Sequence, residues 1–150
     1  MGLVINKLFG SITFRDLVEQ LELPPPTDAV GRTPIHYGGP VESGRGFVLH
    51  TTDYVRDGTL VVDETIALTA TIDILRALGE ERGPERSLLL LGYAGWGPGQ
   101  LDSEIQANGW LTAPCDTDIL FDDDLDGKWE RAIGLLGVNL SMLSQEAGHA

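Results

Sequence analysis

The run Leu88–Leu91 constrains the fold more than any other feature. Four consecutive leucines leave no polar face, so "RSLLLLGYAGW" reads as a strand buried on both sides. The chain then meets Gly92, Gly95, Gly97 and Gly99 before the polar stretch "QLDSEIQAN". Gly97 can serve as N-cap and Pro98 as the first helical residue, where a missing N–H costs nothing. Leu101 and Ile105 stand one helical turn apart, which gives that helix one inward face, and Gly109 is placed to end it in a left-handed conformation. The feature is therefore a buried strand turning tightly into a helix. Gly95 and Gly97 are expected to serve positive φ or close backbone approach.

The remaining pattern alternates short strands with three further amphipathic stretches. "MGLVINK" reads as a strand. "TFRDLVEQLEL" spaces Phe14, Leu17, Val18 and Leu21 as one helical stripe, with Thr13 and Asp16 as a capping pair and Pro24-Pro25-Pro26 as the stop. "PIHYGGPVESGRGFVLHTTD" predicts two strands around Gly- and Pro-rich turns, and "TLVVDETIALTA" predicts two more. "TIDILRALGEERG" has helical spacing. "WLTAP" and "TDILF" read as short strands. "DGKWERAIGLLG" predicts the last long helix, with Trp129, Ala132, Ile133 and Leu136 inward and Gly137 ending it. Hairpins mixed with strand–helix units point to an α+β fold with a mixed sheet.

A chain of 150 residues fits one domain, and 19 glycines with 8 prolines favour turns and strands over a helical bundle. The net charge of −13 repels polyanions. The ten basic residues are scattered with no two adjacent, so no basic stripe offers itself to DNA. One cysteine, Cys115, excludes an internal disulfide and a cysteine zinc cage. It follows Pro114 beside acids, and reads as an inert buried thiol. No signal peptide and no apolar run of membrane-spanning length are evident, which makes a cytoplasmic location without membrane attachment the default expectation.

"GYAGWGPGQLDSEIQANGWL" resembles the signature of the AlgH/YqgE family of bacterial proteins. "MGLVINK", "HYGGPV", "RGFVLH" and the terminal "LSQEAGHA" resemble that family's other blocks in the same order. The resemblance spans residues 1–150 as one domain. It implies a compact α+β fold with a bulged, curved, largely antiparallel sheet flanked by helices, and an unknown molecular function. The family name implies a transcriptional regulator of alginate production, which is a genetic role and not a chemistry. Two departures stand out. Leu8 occupies the place of a usual proline, and Met1 stands where the family usually has a preceding segment. The expectation is a sheet that lacks strands and exposes an edge.

Candidate sites each carry a plain structural alternative. The glycine corner has the strand–loop–helix order of a phosphate loop, but no Lys-Ser or Lys-Thr pair opens the helix. Gln100 also occupies the place of the third glycine of a dinucleotide fingerprint. No cofactor is expected. Tyr93, Trp96 and Trp110 are placed to line a shallow pocket. Glu104, one turn from Gln100, could have a raised pKa and act as a base; the favoured alternative is a solvated helix face or a carboxylate fixing a turn. His36 in "HYGGP", with Gly38 and Gly39, flanks a turn, where a ring bonded to backbone is commoner than a ligand. His36, His50 and His149 have no metal-pair spacing. Asp122, Asp124, Asp126 and Gly127 match the first half of a calcium loop, but its twelfth position is Ile133, so no metal is expected.

Two functions follow. The first is a non-catalytic binding or regulatory protein. It would recognise a small ligand or a protein through His36, Gly38, Gly39, Tyr93, Trp96, Gln100, Glu104 and Trp110. The alternative is an enzyme of unassigned reaction using Glu104 with His36. Direct binding to nucleic acid is disfavoured by charge. Mobility shifts with duplex DNA at physiological salt are therefore expected to show no complex at micromolar protein. A salt-dependent shift lost on mutating Arg45 or Arg56 would reveal a basic face built by folding.

Overall fold

The computed structural model describes residues 1–137, in two units that divide after Ala94. The unit Gly2–Ala94 holds a mixed sheet. Its elements in chain order are β1 (Leu8–Thr13), α1 (Phe14–Gln20), α2 (Asp28–Gly31), β2 (Pro34–Tyr37), β3 (Val41–Thr51), β4 (Thr59–Val61), β5 (Ile66–Thr69), α3 (Ile72–Gly79) and β6 (Ser87–Tyr93). The strands lie in the order β1-β2-β6-β3-β5-β4. Only β2 and β6 run parallel; every other neighbouring pair is antiparallel. The α+β class and the largely antiparallel, bulged sheet thus hold, with register breaks in β1 and β3 and no closure into a barrel.

The four leucines explain the order. Leu89 and Leu91 join the core of Phe14, Val18, Ile35, Val48, Ile74 and Ala77. Leu88 and Leu90 alternate to the opposite face and are buried too. The strand sits between β2 and β3, bonded on both edges. Helix α1 supplies Phe14 and Val18, one turn apart, and α3 supplies Ile74 and Ala77. The Asp16 carboxylate accepts the Thr13 backbone N–H at 2.9 Å, so the capping pair anchors α1 at the end of β1.

"MGLVINK" does not form the expected strand. Gly2 makes an isolated antiparallel bridge to Ala94, while Val4 N–H reaches the Gly38 carbonyl at 2.7 Å. The segment meets two partners in turn, so no continuous ladder can grow.

The segment from Gly95 carries α4 (Gln100–Gln106), α5 (Thr117–Phe121) and α6 (Leu125–Gly134). Several expectations are corrected here. Helix α4 starts two residues later than Pro98, because Gly99 is the N-cap, at φ +73°. Asn108, at φ +60°, is the left-handed residue after α4, in place of Gly109. "WLTAP" is irregular, and "TDILF" is helical, because the Asp116 side chain accepts the N–H groups of Asp118 and Ile119. Of the face expected inward on helix α6, Ile133 is buried and Ala132 and Leu136 are half-buried, but Trp129 is 52% exposed, and Lys128 is buried beside it in the chain. The Lys128 ammonium donates to the Leu120 carbonyl at 2.7 Å, which satisfies it in its buried place. Burial lowers the Lys128 pKa, opposed by Asp122 and Asp123. Cys115 is exposed, not buried.

The glycines of "HYGGP" are steric. A Cβ on Gly38 would lie 2.2 Å from the Gly92 carbonyl oxygen, and one on Gly39 would lie 2.1 Å from the Tyr93 carbonyl carbon. Gly92, at φ +78°, presses back on the Gly39 carbonyl. Gly97, by contrast, has room: its nearest new contact would be Gln100 Oε1 at 3.7 Å. Gly39→Ala should therefore destabilise the fold by clearly more than the ~1 kcal/mol of an ordinary glycine exchange, and Gly97→Ala by no more than that. Chemical denaturation of the two variants checks this, and equal losses would contradict the steric reading.

Candidate functional site: a carboxylate clasped by two tryptophans

The corner closes on Glu104. Helix α4 carries Gln100 and Glu104 one turn apart, on the same face. Glu104 Oε2 accepts the indole N–H of Trp110 at 2.7 Å and that of Trp96 at 3.1 Å. Glu104 Oε1 accepts the Gln100 side-chain amide at 2.9 Å. Gln100 is itself held, since its Oε1 takes the Gly97 N–H at 2.9 Å. The two indoles meet edge to face, with centroids 5.9 Å apart and planes at 74°. Trp96 precedes α4 and Trp110 follows it, so one carboxylate ties together both ends of the helix.

The three donors hold Glu104 below its ordinary pKa: the Trp110 bond contributes most and the Gln100 bond next, while the Trp96 bond adds less than the opposing desolvation. The raised value required of a base is therefore corrected, because every bond made here favours the charged form. The arrangement is a buttress for the turn, and it fixes the planes of two aromatic rings. Trp110 is 40% exposed, and Ile105 and Leu111 nearby in the chain are exposed too.

The other expected site residues belong to the other unit. His36 and Tyr93 belong to the unit Gly2–Ala94, whereas Trp96, Gln100, Glu104 and Trp110 belong to the other. The His36 ring is buried, with Nδ1 at 3.2 Å from the Leu89 carbonyl. Gly38 and Gly39 pack against the end of β6 as described. Tyr93 bonds to Glu42, which raises the tyrosine pKa and lowers that of the glutamate. Its ring meets Phe47 edge-on at 5.9 Å. Sequence reasoning missed this last group. Glu42 takes a left-handed φ of +47° at the register break of β3, and Arg45 stacks over Phe47 at 5.3 Å. The two glycines inside "VESGRG" were the available signal for a bulge.

The acidic run behaves as helix capping. Asp124 accepts the Gly127 N–H, Asp122 accepts the Asp124 N–H, and Asp122 also pairs with Arg131 at 2.8 Å. Among the described residues no three His, Cys, Asp or Glu side chains converge for a metal. His149 and the block "LSQEAGHA" lie outside the described residues. No described helix is long and apolar enough to cross a membrane.

The clasp has a pH signature. A carboxylate with a lowered folded pKa adds stability that is full above the ordinary carboxylate range and is lost as pH falls through the lowered value. In a Trp129→Phe background, indole fluorescence should therefore be flat through that range and change only below it. Glu104→Gln should abolish the change. A transition that survives Glu104→Gln would show that the indoles do not report on this carboxylate.

Comparison with known proteins places the chain in a family. A sequence model of a family described as AlgH-like covers residues 1–141. A UPF0301 protein of Rhizobium rhizogenes is 51% identical over 156 residues, spanning 100% of this chain and 77% of that protein. One of Rhodospirillum rubrum is 50% identical, spanning 100% and 78%. The solution structure of AlgH from Pseudomonas aeruginosa aligns with a TM-score of 0.79 at 44% identity, covering 100% of this chain and 79% of that one. A Corynebacterium diphtheriae protein shares the fold at 20% identity and a TM-score of 0.61, covering 87% and 69%. The sheet order, the glycine packing and the clasped corner are thus those of a chain that belongs to the AlgH-like family.

Proposed function

We propose that this protein is a non-catalytic recognition protein of the bacterial cytoplasm, which uses the Trp96–Trp110 corner to bind a cationic group on a small ligand or a protein segment. The observation that carries the reading is the three-donor clasp on Glu104. A carboxylate so occupied, and held ionised, is a poor proton acceptor, which counts against the enzyme alternative with His36. The same bonds hold two indoles rigid in advance of binding, and pre-ordered tryptophans lose little entropy when a partner docks. Charge selects the partner. Ring faces attract cations, and a donated N–H to a carboxylate leaves the indole face richer in electrons. The net charge of −13 adds a long-range pull on positive partners. A regulatory role of the kind the family name implies would then run through a protein or ligand, not through direct contact with DNA.

Ligand-observed NMR with a panel of ammonium and guanidinium compounds and short basic peptides tests this. Trp110→Ala should weaken the binders by roughly two- to fivefold, the worth of one exposed cation–aromatic contact, while leaving the fold intact. Glu104→Gln should weaken them too. Affinities unchanged in both variants would refute the reading. Chemical turnover of a panel member that is lost in Glu104→Gln would favour the enzyme instead.

A further inference from the structure

His50, on β3, is 0% exposed and sits at the end of a hydrogen-bonded chain that crosses three neighbouring strands. Its Nδ1 lies 2.8 Å from the Thr51 carbonyl oxygen. A carbonyl only accepts, so Nδ1 carries a proton. Nε2 lies 2.8 Å from Thr69 Oγ1 on β5, and Thr69 Oγ1 lies 2.9 Å from Thr59 Oγ1 on β4. At the outer end the Arg56 backbone N–H donates to Thr59 Oγ1 at 3.2 Å. With a neutral ring every proton has one place to go. Thr59 donates to Thr69, Thr69 donates to Nε2, and Nδ1 donates to Thr51.

We propose that His50 is a proton-reversible latch on the edge strand β4. A proton added at Nε2 turns that nitrogen from acceptor to donor. Thr69 must then swing its hydroxyl proton towards Thr59, and the Thr59 proton loses its acceptor. The reversal breaks the donation from Thr59 to Thr69 and places a charge in a ring with no exposed surface. The part of the sheet able to yield is β4. It has three residues, pairs among the described residues only with β5, and leaves Leu60 and Val61 exposed.

Charged and aromatic groups surround the ring. Burial raises the pKa of Asp53, but the bonds from the Thr51 hydroxyl and the Glu85 N–H, with the charge of His50, lower it overall. Tyr54 meets the imidazole edge to face at 5.9 Å, and Arg56 stacks on the Tyr54 ring at 4.6 Å. Across the ladders His50 faces Ala67 on β5 and Ser87 on β6, which bring no charge.

Nitrogen-15 NMR of the imidazole, combined with amide hydrogen exchange, tests the latch. At mildly alkaline pH, His50 should show a protonated Nδ1 and an accepting Nε2. On acidification, exchange at the Val62 amide, which donates to the Ile66 carbonyl, should rise in step with protonation of His50. The Leu88–Leu91 amides should stay protected. Thr69→Val should accelerate Val62 exchange roughly fivefold at alkaline pH, the worth of one net hydrogen bond, and remove its dependence on His50. Thr59→Val serves the same purpose should Thr69→Val fail to fold. A protonated Nε2 at alkaline pH, or Val62 exchange that follows only global unfolding, would overturn the proposal.

Discussion

The double burial of β6 is the constraint on which the rest depends. Leu88, Leu89, Leu90 and Leu91 alternate between the two faces of the sheet, and all four are buried. Each contributes roughly 1.5–3 kcal/mol relative to exposure. The gain is realised only if both faces are covered and both edges are bonded, which is why β2 and β3 flank the strand. The last residues of β6 then pass so close to Gly38 and Gly39 that no side chain fits between the backbones. The glycines are a consequence of the burial: a strand packed this tightly leaves its exit to be shaped by main chain alone.

The clasp at Glu104 solves a different problem. Helix α4 has no buried residue, so packing contributes little to its position. One carboxylate, charged and supplied with three donors, does instead what a core face does elsewhere. Charge-assisted bonds of this kind are stronger than neutral ones. The dividend is a pair of aromatic rings held in place at the surface, where a flexible loop would leave them mobile. Order and availability for contact thus come from the same three bonds.

Much of the fold could be read from residue pattern. Strands with strong alternation or a continuous apolar run, and helices with a clear stripe such as Phe14 and Val18, matched their elements because local preference and burial agree there. Two of the misreadings involve side-chain hydrogen bonding that pattern does not encode. "TDILF" has strand-like composition, yet Asp116 caps it into a helix. Trp129 has the spacing of a core residue, yet it is exposed while Lys128, bonded to the Leu120 carbonyl, is buried. At the candidate site, the i, i+4 spacing of Gln100 and Glu104 was legible. The convergence of Trp96 and Trp110 on one oxygen was not, because it depends on how the loops on either side of α4 return. The relay ending at His50 was invisible for the same reason, since its members come from three strands.

The strand order carries a consequence for how the protein comes to be folded. On one side of β6 lie β1 and β2; on the other lie β3, β5 and β4. Among the described residues no hydrogen-bonded ladder joins these two groups except through β6, which is also the last of the described strands in the sequence. The ladders that join the two groups therefore cannot form until Leu88–Leu91 has been synthesised. Contacts such as Ile35 with Leu89 span more than fifty residues. Non-local closure of this kind is slow and aggregation-exposed. Among the described strands the central one is the last to be synthesised, so the order of synthesis runs against the order in which the sheet is held together.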